Sequence, residues 1–416
     1  MTYLRFVRSH ARFLAFGLLA VALSGFGQTY FISLFGGQIR AAYHLSNGDF
    51  GLLYSAATLA SGVLLIWAGQ QLDRLDLRLF AVLVVLGAAA GSLLMAVAGS
   101  VVTVGAAMFL LRFAGQGLLT HMAFTSMARY FEEGRGKAVS IAGMGLPLGE
   151  AVLPSAAVAV TGALGWRGTW TLSAAILAGA ALPLLLWLLR GHGERRRRLA
   201  EREAGQGEED NGGQAQWTRG QVLRDARFYL FLPAVLAGPF IVTALFFHQV
   251  HLAEAKGWTL SWLASSFVAF AATHVLGLVL FGPVVDRFGA RRLLPVFLLP
   301  MAAGLTVLAG FDQPAAAPVY LALMGLSMGG TGTLLGALWP ELYGVAHLGA
   351  IRAVVQSAMV LSTAASPGIV GELIDGGVAM ETVALLLAGY IGGAIALVLL
   401  GLRVRPRTGG SPVADR

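Results

Sequence analysis

Uninterrupted apolar runs of about 20 residues recur along the whole sequence, and they constrain the fold more than any other feature. A run of this length is what an α-helix needs to cross the hydrocarbon core of a bilayer. Charged residues make up only 12% of the chain, whereas soluble domains carry about 25%. Open sheets cannot satisfy their backbone in lipid, and the two-residue alternation of barrel strands is absent. The sequence therefore predicts an all-α polytopic membrane protein.

The ends of these runs, marked by charges, glycine and proline, predict twelve transmembrane helices. We interpret the basic and then apolar N-terminus as an uncleaved first span, because its apolar part is too long for a signal peptide. The predicted spans, numbered 1 to 12 in chain order, cover residues 12–37, 49–70, 78–98, 103–129, 138–162, 168–189, 228–252, 260–282, 292–311, 316–340, 350–374 and 380–402.

One long polar stretch separates the first six spans from the last six. It is rich in Gly, Glu, Arg and Gln and almost free of apolar residues, a composition typical of a solvated linker. We therefore assign residues 1–189 to an N-terminal six-helix bundle and 190–226 to a cytoplasmic linker. Residues 227–416 form the predicted C-terminal six-helix bundle and a cytoplasmic tail.

The basic residues fall on one side of this topology. With both termini cytoplasmic, the predicted inside segments hold 25 of the 29 Lys and Arg residues, and the outside loops hold only Arg40, Arg167 and Lys256. This asymmetry follows the positive-inside rule, and it accounts for the net charge of +8 without a nucleic-acid partner. We expect an integral membrane protein of a plasma membrane, such as a bacterial inner membrane.

The two sets of spans repeat each other in sequence. The segment "GQQLDRLDLR" at 69–78 matches "GPVVDRFGAR" at 282–291, 213 residues later. The shift pairs Gly69 with Gly282, Asp73 with Asp286, Arg74 with Arg287, Arg78 with Arg291, Gly117 with Gly330, Tyr130 with Tyr343, and Pro154 with Pro367. A gap-free register across four spans indicates two pseudo-symmetric halves derived from one ancestral unit. Parallel repeats of this kind are the architecture of rocker-switch carriers.

The hairpin after span 8 carries a complete motif, G-x-x-x-D-R-x-G-x-R-R. Its members are Gly282, Asp286, Arg287, Gly289, Arg291 and Arg292. The motif resembles the signature of the major facilitator superfamily, which lies in the loops after spans 2 and 8. In the N-terminal copy, Asp76 replaces the second glycine and Leu79 the last base. "RFAGQG" at 112–117 is similar to the arginine motif of the family's fourth span.

The resemblance implies a secondary transporter with two six-helix bundles. It also implies that Asp73 and Asp286 cap or pair with neighbouring cytoplasmic helix ends and stabilise the outward-open state. "GMGLPLGEAVLP" at 143–154 and "GWRGTW" at 165–170 are most similar to the monocarboxylate and organic-anion carriers. Those carriers typically place an arginine in span 8, where this sequence has His274.

Two ionisable groups lie deep inside the N-terminal spans, where charge is costly and therefore indicates function. Glu150 is the one carboxylate near the middle of a predicted span. Desolvation raises the pKa of a carboxyl, and a nearby arginine lowers it again. A carboxyl balanced between its protonated and ionised forms suits proton coupling, so we interpret Glu150 as the proton-coupling group. The alternative is a permanent ion pair with Arg112 that locks spans 4 and 5.

Arg112 and Gln116 lie four residues apart on one face of span 4, whereas His121 lies about 180° away. We expect Arg112 and Gln116 to line the cavity, and His121 to serve packing or capping. Arg112 either binds an anionic group of the substrate through its planar guanidinium or pairs with Glu150. The sequence alone favours neither role over the other.

Further predicted substrate contacts come from spans 1, 2, 7, 8 and 11. They are Gln28, Tyr54, His248, His251, His274 and Gln356. His274 is a second candidate for proton handling, because histidine changes charge near neutral pH; a neutral packing histidine is the alternative. His248 and His251 have the i, i+3 spacing of metal ligands but no third ligand, so no metal site is predicted.

These features predict a secondary active transporter that moves a small organic solute, an organic anion such as a carboxylate, by proton-coupled alternating access. A proton-driven exporter of drugs or metabolites is the alternative, and a non-transporting membrane sensor is a more remote one. The sequence has no Walker motif, no cysteine and no convergent nucleophile and base, so it predicts neither an ATP-driven pump nor an enzyme. We expect no cofactor, and as partners the substrate, protons and the lipid bilayer, with the monomer as the working unit.

Overall fold

The computed structural model describes residues 3–131, 134–203, 217–344 and 347–404, and all regular structure within them is helical. Ten helical segments of at least 18 residues in this part are long and apolar enough to cross a membrane. One of them, Arg135–Leu188, is long enough to cross twice and is interrupted at Gly165, whose φ of 69° ends the first crossing. With the shorter apolar helix Leu299–Gly310, the twelve predicted spans are present.

The N-terminal half contains two π-helical segments and a broken first span. Span 1 comprises Tyr3–Leu23, Ser24–Gly27, Thr29–Ile32, Ser33–Phe35 and Gly36–Tyr43. Spans 2 and 3 are Asn47–Arg74 and Leu77–Ala96. Span 4 comprises Val101–Leu110, the π-helix Leu111–Leu119 and Thr120–Tyr130. Spans 5 and 6 comprise Arg135–Gly143, Gly145–Ala175, the π-helix Ile176–Ala181 and Leu182–Leu188.

The C-terminal half is more regular, except in span 9. Its spans 7 to 12 are Ala226–Phe247 with Gln249–Ala255, Leu260–Phe288, Ala290–Leu293 with Leu299–Gly310, Ala316–Tyr343, Leu348–Asp375 and Met380–Arg403. The continuous helix predicted over 292–311 is therefore broken at 294–298. Pro295 and Pro300 explain the break, because proline lacks the backbone N–H and its ring clashes with the preceding turn.

Both ends of the predicted linker dock against the side of the bundles that the positive-inside rule predicts to be cytoplasmic. Its first part is a helix, His192–Glu203, and residues 204–216 lie outside the described part. The buried His192 ring lies 4.9 Å from that of Tyr130, and burial lowers the pKa of His192 to about 4. At the other end, the Trp217 amide donates to the Tyr343 carbonyl at 3.0 Å. The linker ends thus contact Tyr130 and Tyr343, which are repeat equivalents.

The 213-residue repeat extends to the ends of the halves. Nη2 of Arg78 donates to the Leu189 carbonyl at 3.3 Å, and Nη2 of Arg291 donates to the Leu402 carbonyl at 3.2 Å. The two donors are separated by the 213-residue shift of the repeat, and so are the two acceptors. The structure is therefore an all-α fold of two pseudo-symmetric halves, as the sequence predicts.

Candidate functional site

The irregular backbones of spans 1 and 4 cross in the interior of the N-terminal half. Gln28 is extended, with φ −79° and ψ 154°, and breaks span 1 directly after Gly27. A Cβ on Gly27 would lie 2.9 Å from the Cα of Gly115, in the π-helix of span 4. Only glycine permits this approach, since other side chains would meet the opposite backbone. Non-helical backbone inside a membrane is tolerated where protein buries it or a cavity adjoins it, and π-helical segments are frequent at functional sites.

Arg112 lies at this crossing, near the start of the π-helix. Its side chain is buried, with 3% of the residue exposed, and its Nη1 donates to the Gly27 carbonyl at 3.3 Å. The guanidinium carbon lies 5.1 Å from the centroid of the Tyr54 ring, and the Tyr54 hydroxyl is 2.7 Å from that of Thr29. Nε of Arg112 has no hydrogen-bond partner, and no carboxylate among the described residues pairs with the guanidinium. The Arg112–Glu150 ion pair considered from the sequence is therefore not formed in this structure.

Glu150 instead pairs with His274, across the interface of the two halves. Oε2 of Glu150 lies 3.0 Å from Nδ1 of His274, and the two residues are 5% and 7% exposed. Glu150 is fifteen residues from the predicted cytoplasmic end of span 5, and His274 is fourteen residues from that of span 8. At 1.5 Å per residue, each lies about 21–23 Å from its end, so the pair lies near the middle of the membrane.

Tyr30 contributes a third polar group beside this pair, and sequence reasoning did not single it out. A Cβ on Gly149, next to Glu150, would lie 2.8 Å from the Tyr30 hydroxyl oxygen. That hydroxyl is buried without a hydrogen-bond partner. The Tyr30 ring also faces Phe267, with ring centroids 6.2 Å apart. Two glycines could have pointed to Tyr30 in the sequence. Gly25 and Gly149 lie on helices that face each other, and both leave room for the Tyr30 hydroxyl.

The other predicted contacts divide into three environments. Gln28 and Gln116 are half-buried at the crossing near Arg112. His248 is buried and its Nε2 lies 2.9 Å from the Pro367 carbonyl oxygen, whereas His251 is half-buried. Gln356 is exposed. The structure therefore brings Gln28, Gln116, Tyr54 and Arg112 together, and places His248, His251 and Gln356 apart from them. No group of three His, Asp or Glu side chains in the described ranges is arranged to hold a metal ion.

His121 lies away from this cluster and contacts span 2. Its Nε2 is 3.2 Å from the carbonyl oxygen of Gly69, the first residue of the N-terminal motif. This is the packing environment expected from its helical phase. Gly69 allows the approach, because a Cβ there would also lie 3.2 Å from Nε2.

The two signature hairpins cap their following helices in different ways. Asp76 Oδ1 accepts a hydrogen bond from the Arg78 amide at 2.9 Å, at the start of span 3. At the equivalent position Gly289 adopts φ 79°, and the carboxylate of Glu341 accepts from the Ala290 amide at 2.8 Å. A carboxylate therefore stabilises the helix N-terminus in both hairpins.

The remaining motif residues are largely exposed. Arg74, Asp286, Arg287 and Arg292 are exposed, and Gly282 is half-exposed with no atom within 4 Å of a Cβ placed on it. Asp286 has no hydrogen-bond or ion-pair partner among the described residues, and the side chain of Asp73 lies outside them. The capping that the resemblance assigned to Asp286 is thus absent from this conformation.

The halves are hydrogen-bonded to each other at the side that the positive-inside rule predicts to face outward. The carboxylate of Asp375 accepts hydrogen bonds from the amides of Asn47 at 3.1 Å and Gly48 at 2.6 Å, at the N-terminus of span 2. Nearer the middle, the Ser33 hydroxyl donates at 2.6 Å to the carbonyl of Phe246, its own repeat equivalent. Among the described residues, no hydrogen bond or ion pair between the halves lies closer to the predicted cytoplasmic side than Glu150–His274. The polar contacts between the halves therefore lie from the middle of the membrane to the predicted outer side, and the contacts at that side are called the outer closure below.

Comparison with known proteins agrees with this architecture. The structure aligns with that of a bacterial homolog of the human lysosomal transporter Spinster, in an inward-facing and occupied conformation, with a TM-score of 0.69 and 16% identity over 98% of this chain and 99% of that one. It aligns with the nucleoside transporter NupG with a TM-score of 0.72 and 13% identity, over 97% of this chain and 100% of that one. At such identities the likeness concerns the fold alone.

Sequence comparison is decisive for the family. No curated protein sequence matches this chain significantly. The family model of the Major Facilitator Superfamily matches residues 17–273, which is more than half of the chain. This chain therefore belongs to the major facilitator superfamily.

Proposed function

We propose that the protein is a proton-coupled carrier of small organic anions, in which Arg112 binds the anion and Glu150 with His274 carries the proton. Family membership makes the chain a membrane transporter. The substrate class, the coupling ion and the residues that serve them are our proposal. The observation that carries it is the buried guanidinium of Arg112, which has no anionic partner among the described residues.

A cation inside the membrane is costly unless a counter-ion or strong hydrogen bonds stabilise it. Arg112 has one long hydrogen bond, to the Gly27 carbonyl at 3.3 Å, and the face of the Tyr54 ring. An anionic group of a substrate would supply the missing charge. A carboxylate fits best, because the guanidinium can donate two parallel hydrogen bonds to its two oxygens.

The Glu150–His274 pair suits proton coupling because both groups take up and release protons and each belongs to a different half. With Glu150 ionised and His274 protonated, the pair attracts strongly in a low-dielectric site. Protonation of Glu150, or loss of the proton from His274, removes that attraction. The proton therefore changes how firmly spans 5 and 8 are held together, and a change in relative stability is what shifts a carrier between its two states.

A short segment of span 1 links the two sites. Gly27 accepts the hydrogen bond from Arg112, and three residues later Tyr30 lies against Gly149, beside Glu150. A substrate anion that takes the guanidinium away from the Gly27 carbonyl would free the broken segment 27–30. Movement of Tyr30 would then alter the surroundings of Glu150, which couples anion binding to the proton site.

Transport by the purified protein in liposomes tests the proposal. Radiolabelled carboxylates, nucleosides and cationic amphiphiles are compared with and without an imposed pH gradient. Nucleosides are included because a structural neighbour is a nucleoside transporter. We expect carboxylates to accumulate on the alkaline side and to collapse the gradient. Transport of uncharged nucleosides independent of the gradient would contradict the proposal, and counterflow of cationic amphiphiles against protons would favour the exporter.

A further inference from the structure

A groove with a volume of about 600 Å³ opens between spans 11 and 12 of the C-terminal half. Leu236 and Phe240 of span 7 also line it, and no charged residue among the described residues does. Two hydroxyls adjoin it, and both donate to span 7: Ser362 to the Leu236 carbonyl at 3.4 Å and Tyr390 to the Pro233 carbonyl at 2.9 Å. The groove therefore offers an apolar surface whose polar groups are already satisfied.

The groove faces the lipid. The opposite face of span 11 packs on span 2, where Gly62 approaches Val360, while Leu361 and Ile369 on the groove side are 59% and 52% exposed. The lining residues of span 11 extend from 358 to 373, a length of about 22 Å. They end two residues before Asp375, at the outer end of span 11. The groove therefore runs from just across the middle of the membrane, near Thr363, to the end of span 11 that is predicted to face outward, and its length exceeds the ~15 Å hydrocarbon depth of one leaflet.

The N-terminal half differs from the groove at one lining position. Trp170 stands where the groove has Val383, 213 residues on, and it is fully buried. Its ring lies 5.2 Å from Phe31 and 4.9 Å from Phe35. The equivalents of these two phenylalanines are Ala244 and His248. Of these three equivalents only Val383 lines the groove, so the groove has a smaller side chain at this one position than the N-terminal half has.

We propose that this groove binds one acyl chain of an outer-leaflet phospholipid, held between spans 11 and 12. The volume lies within the ~300–1,000 Å³ of ligand pockets, and an empty groove would deprive its walls of van der Waals contacts. The absence of charged lining residues disfavours a headgroup or a polar solute. The elongated shape and the opening toward the outer leaflet favour a single hydrocarbon chain.

Photo-crosslinking in nanodiscs tests the site. The full-length protein is reconstituted with a phosphatidylcholine that carries a diazirine along one acyl chain, and labelled peptides are identified by mass spectrometry. We expect labelling to concentrate on the groove residues of spans 7, 11 and 12. Val383→Trp, which copies the N-terminal half, and Ala365→Phe should each lower this labelling at least several-fold. Val279→Trp is the matched control, because Val279 is 65% exposed on span 8, away from the groove.

Groove labelling no stronger than labelling of the span 8 surface would mean ordinary annular lipid and would overturn the proposal. Labelling unchanged in a folded Val383→Trp or Ala365→Phe protein would overturn it too. So would native mass spectrometry that found a non-lipid apolar molecule retained by the wild type and lost from both groove variants.

Discussion

At the predicted cytoplasmic ends of the two halves, Arg78 and Arg291 make the same hydrogen bond, to the carbonyls of Leu189 and Leu402. In the middle of the membrane, the repeat-equivalent positions of the two halves carry different residues. Gly325 is the equivalent of Arg112, Thr363 of Glu150 and Ser61 of His274. The repeat therefore preserves contacts that hold each bundle together, while the ionisable groups occur once each.

This difference explains how a single proton site can depend on the relative position of the two halves. A symmetric carrier would place a carboxylate in both spans 5 and 11, each within its own bundle. Here the carboxylate belongs to the N-terminal half and the imidazole to the C-terminal half, so their hydrogen bond crosses the interface. Its strength depends directly on the relative position of the halves.

The largest effect is expected from Arg112→Gln, which leaves position 112 uncharged, as its equivalent Gly325 is. Affinity for the transported anion should fall about 10- to 100-fold, since a charged hydrogen bond contributes about 1.5–3 kcal/mol. Binding is measured by titration calorimetry on the purified protein. His121→Asn, on the opposite side of span 4, is the control and should bind normally. Equal affinity in wild type and Arg112→Gln would assign Arg112 a structural role.

The signature hairpins provide a second comparison. Gly289→Asp gives the C-terminal hairpin the residue of the N-terminal one, but at a φ of 79° that side chains disfavour and near the Glu341 carboxylate. We expect a loss of about 1–3 kcal/mol, seen as a lower melting temperature. Asp76→Gly, the reverse exchange, should cost only a few tenths of a kcal/mol. Equal losses would show that the two hairpins do not differ in backbone strain.

The outer closure depends on Asp375, whose equivalent in the N-terminal half is Gly162. Asp375→Asn should weaken the contact with the N-terminus of span 2 by about 0.3–1 kcal/mol and raise the population open to the outside. Spin labels on cysteines introduced at Ala42 and Ala379 report the distance, and the wild-type chain has no cysteine to interfere. Asp312→Asn is the control, because Asp312 pairs with Lys256 within one half. An unchanged distance distribution would exclude Asp375 from the closure.

The smallest expected effect is on the pH dependence of stability, and it arises where the ends of the linker contact Tyr130 and Tyr343. Burial holds the pKa of His192 at about 4, against about 6.5 in an unfolded chain. Between these values the unfolded state binds the extra proton, so the N-terminal half should lose stability as the pH falls from 6.5 to 4. His192→Phe should make the melting temperature less dependent on pH in this window. An identical pH dependence in both proteins would contradict the burial of a neutral His192.

The sequence predicts the architecture well because the membrane imposes it. Apolar runs, basic residues and a constant 213-residue shift are sufficient for twelve spans and two halves. The interruptions within the helices are harder to predict from the sequence. Span 1 departs from a helix at Gln28 because Gly27 meets Gly115 of another span, and such a contact is invisible until both helices are placed.

The candidate site was predictable as a set of residues but not as a set of pairs. Glu150, His274 and Arg112 stand out because charge is rare inside a span. The pairing of Glu150 with His274 rather than Arg112 depends on how the two halves face each other, which the repeat does not encode. Tyr30 was missed for the same reason, since its hydroxyl matters only where Gly149 and Glu150 face it.

The most direct test of the account is proton-driven accumulation by Glu150→Gln in liposomes, measured beside exchange at equal pH on both sides. The amide keeps the size of the side chain but cannot ionise. Thr363→Val, at the repeat-equivalent position, is the matched control. We predict that Glu150→Gln abolishes accumulation driven by a pH gradient and retains exchange, while Thr363→Val keeps both. Undiminished proton-driven accumulation in Glu150→Gln would contradict the assignment of the proton to the Glu150–His274 pair.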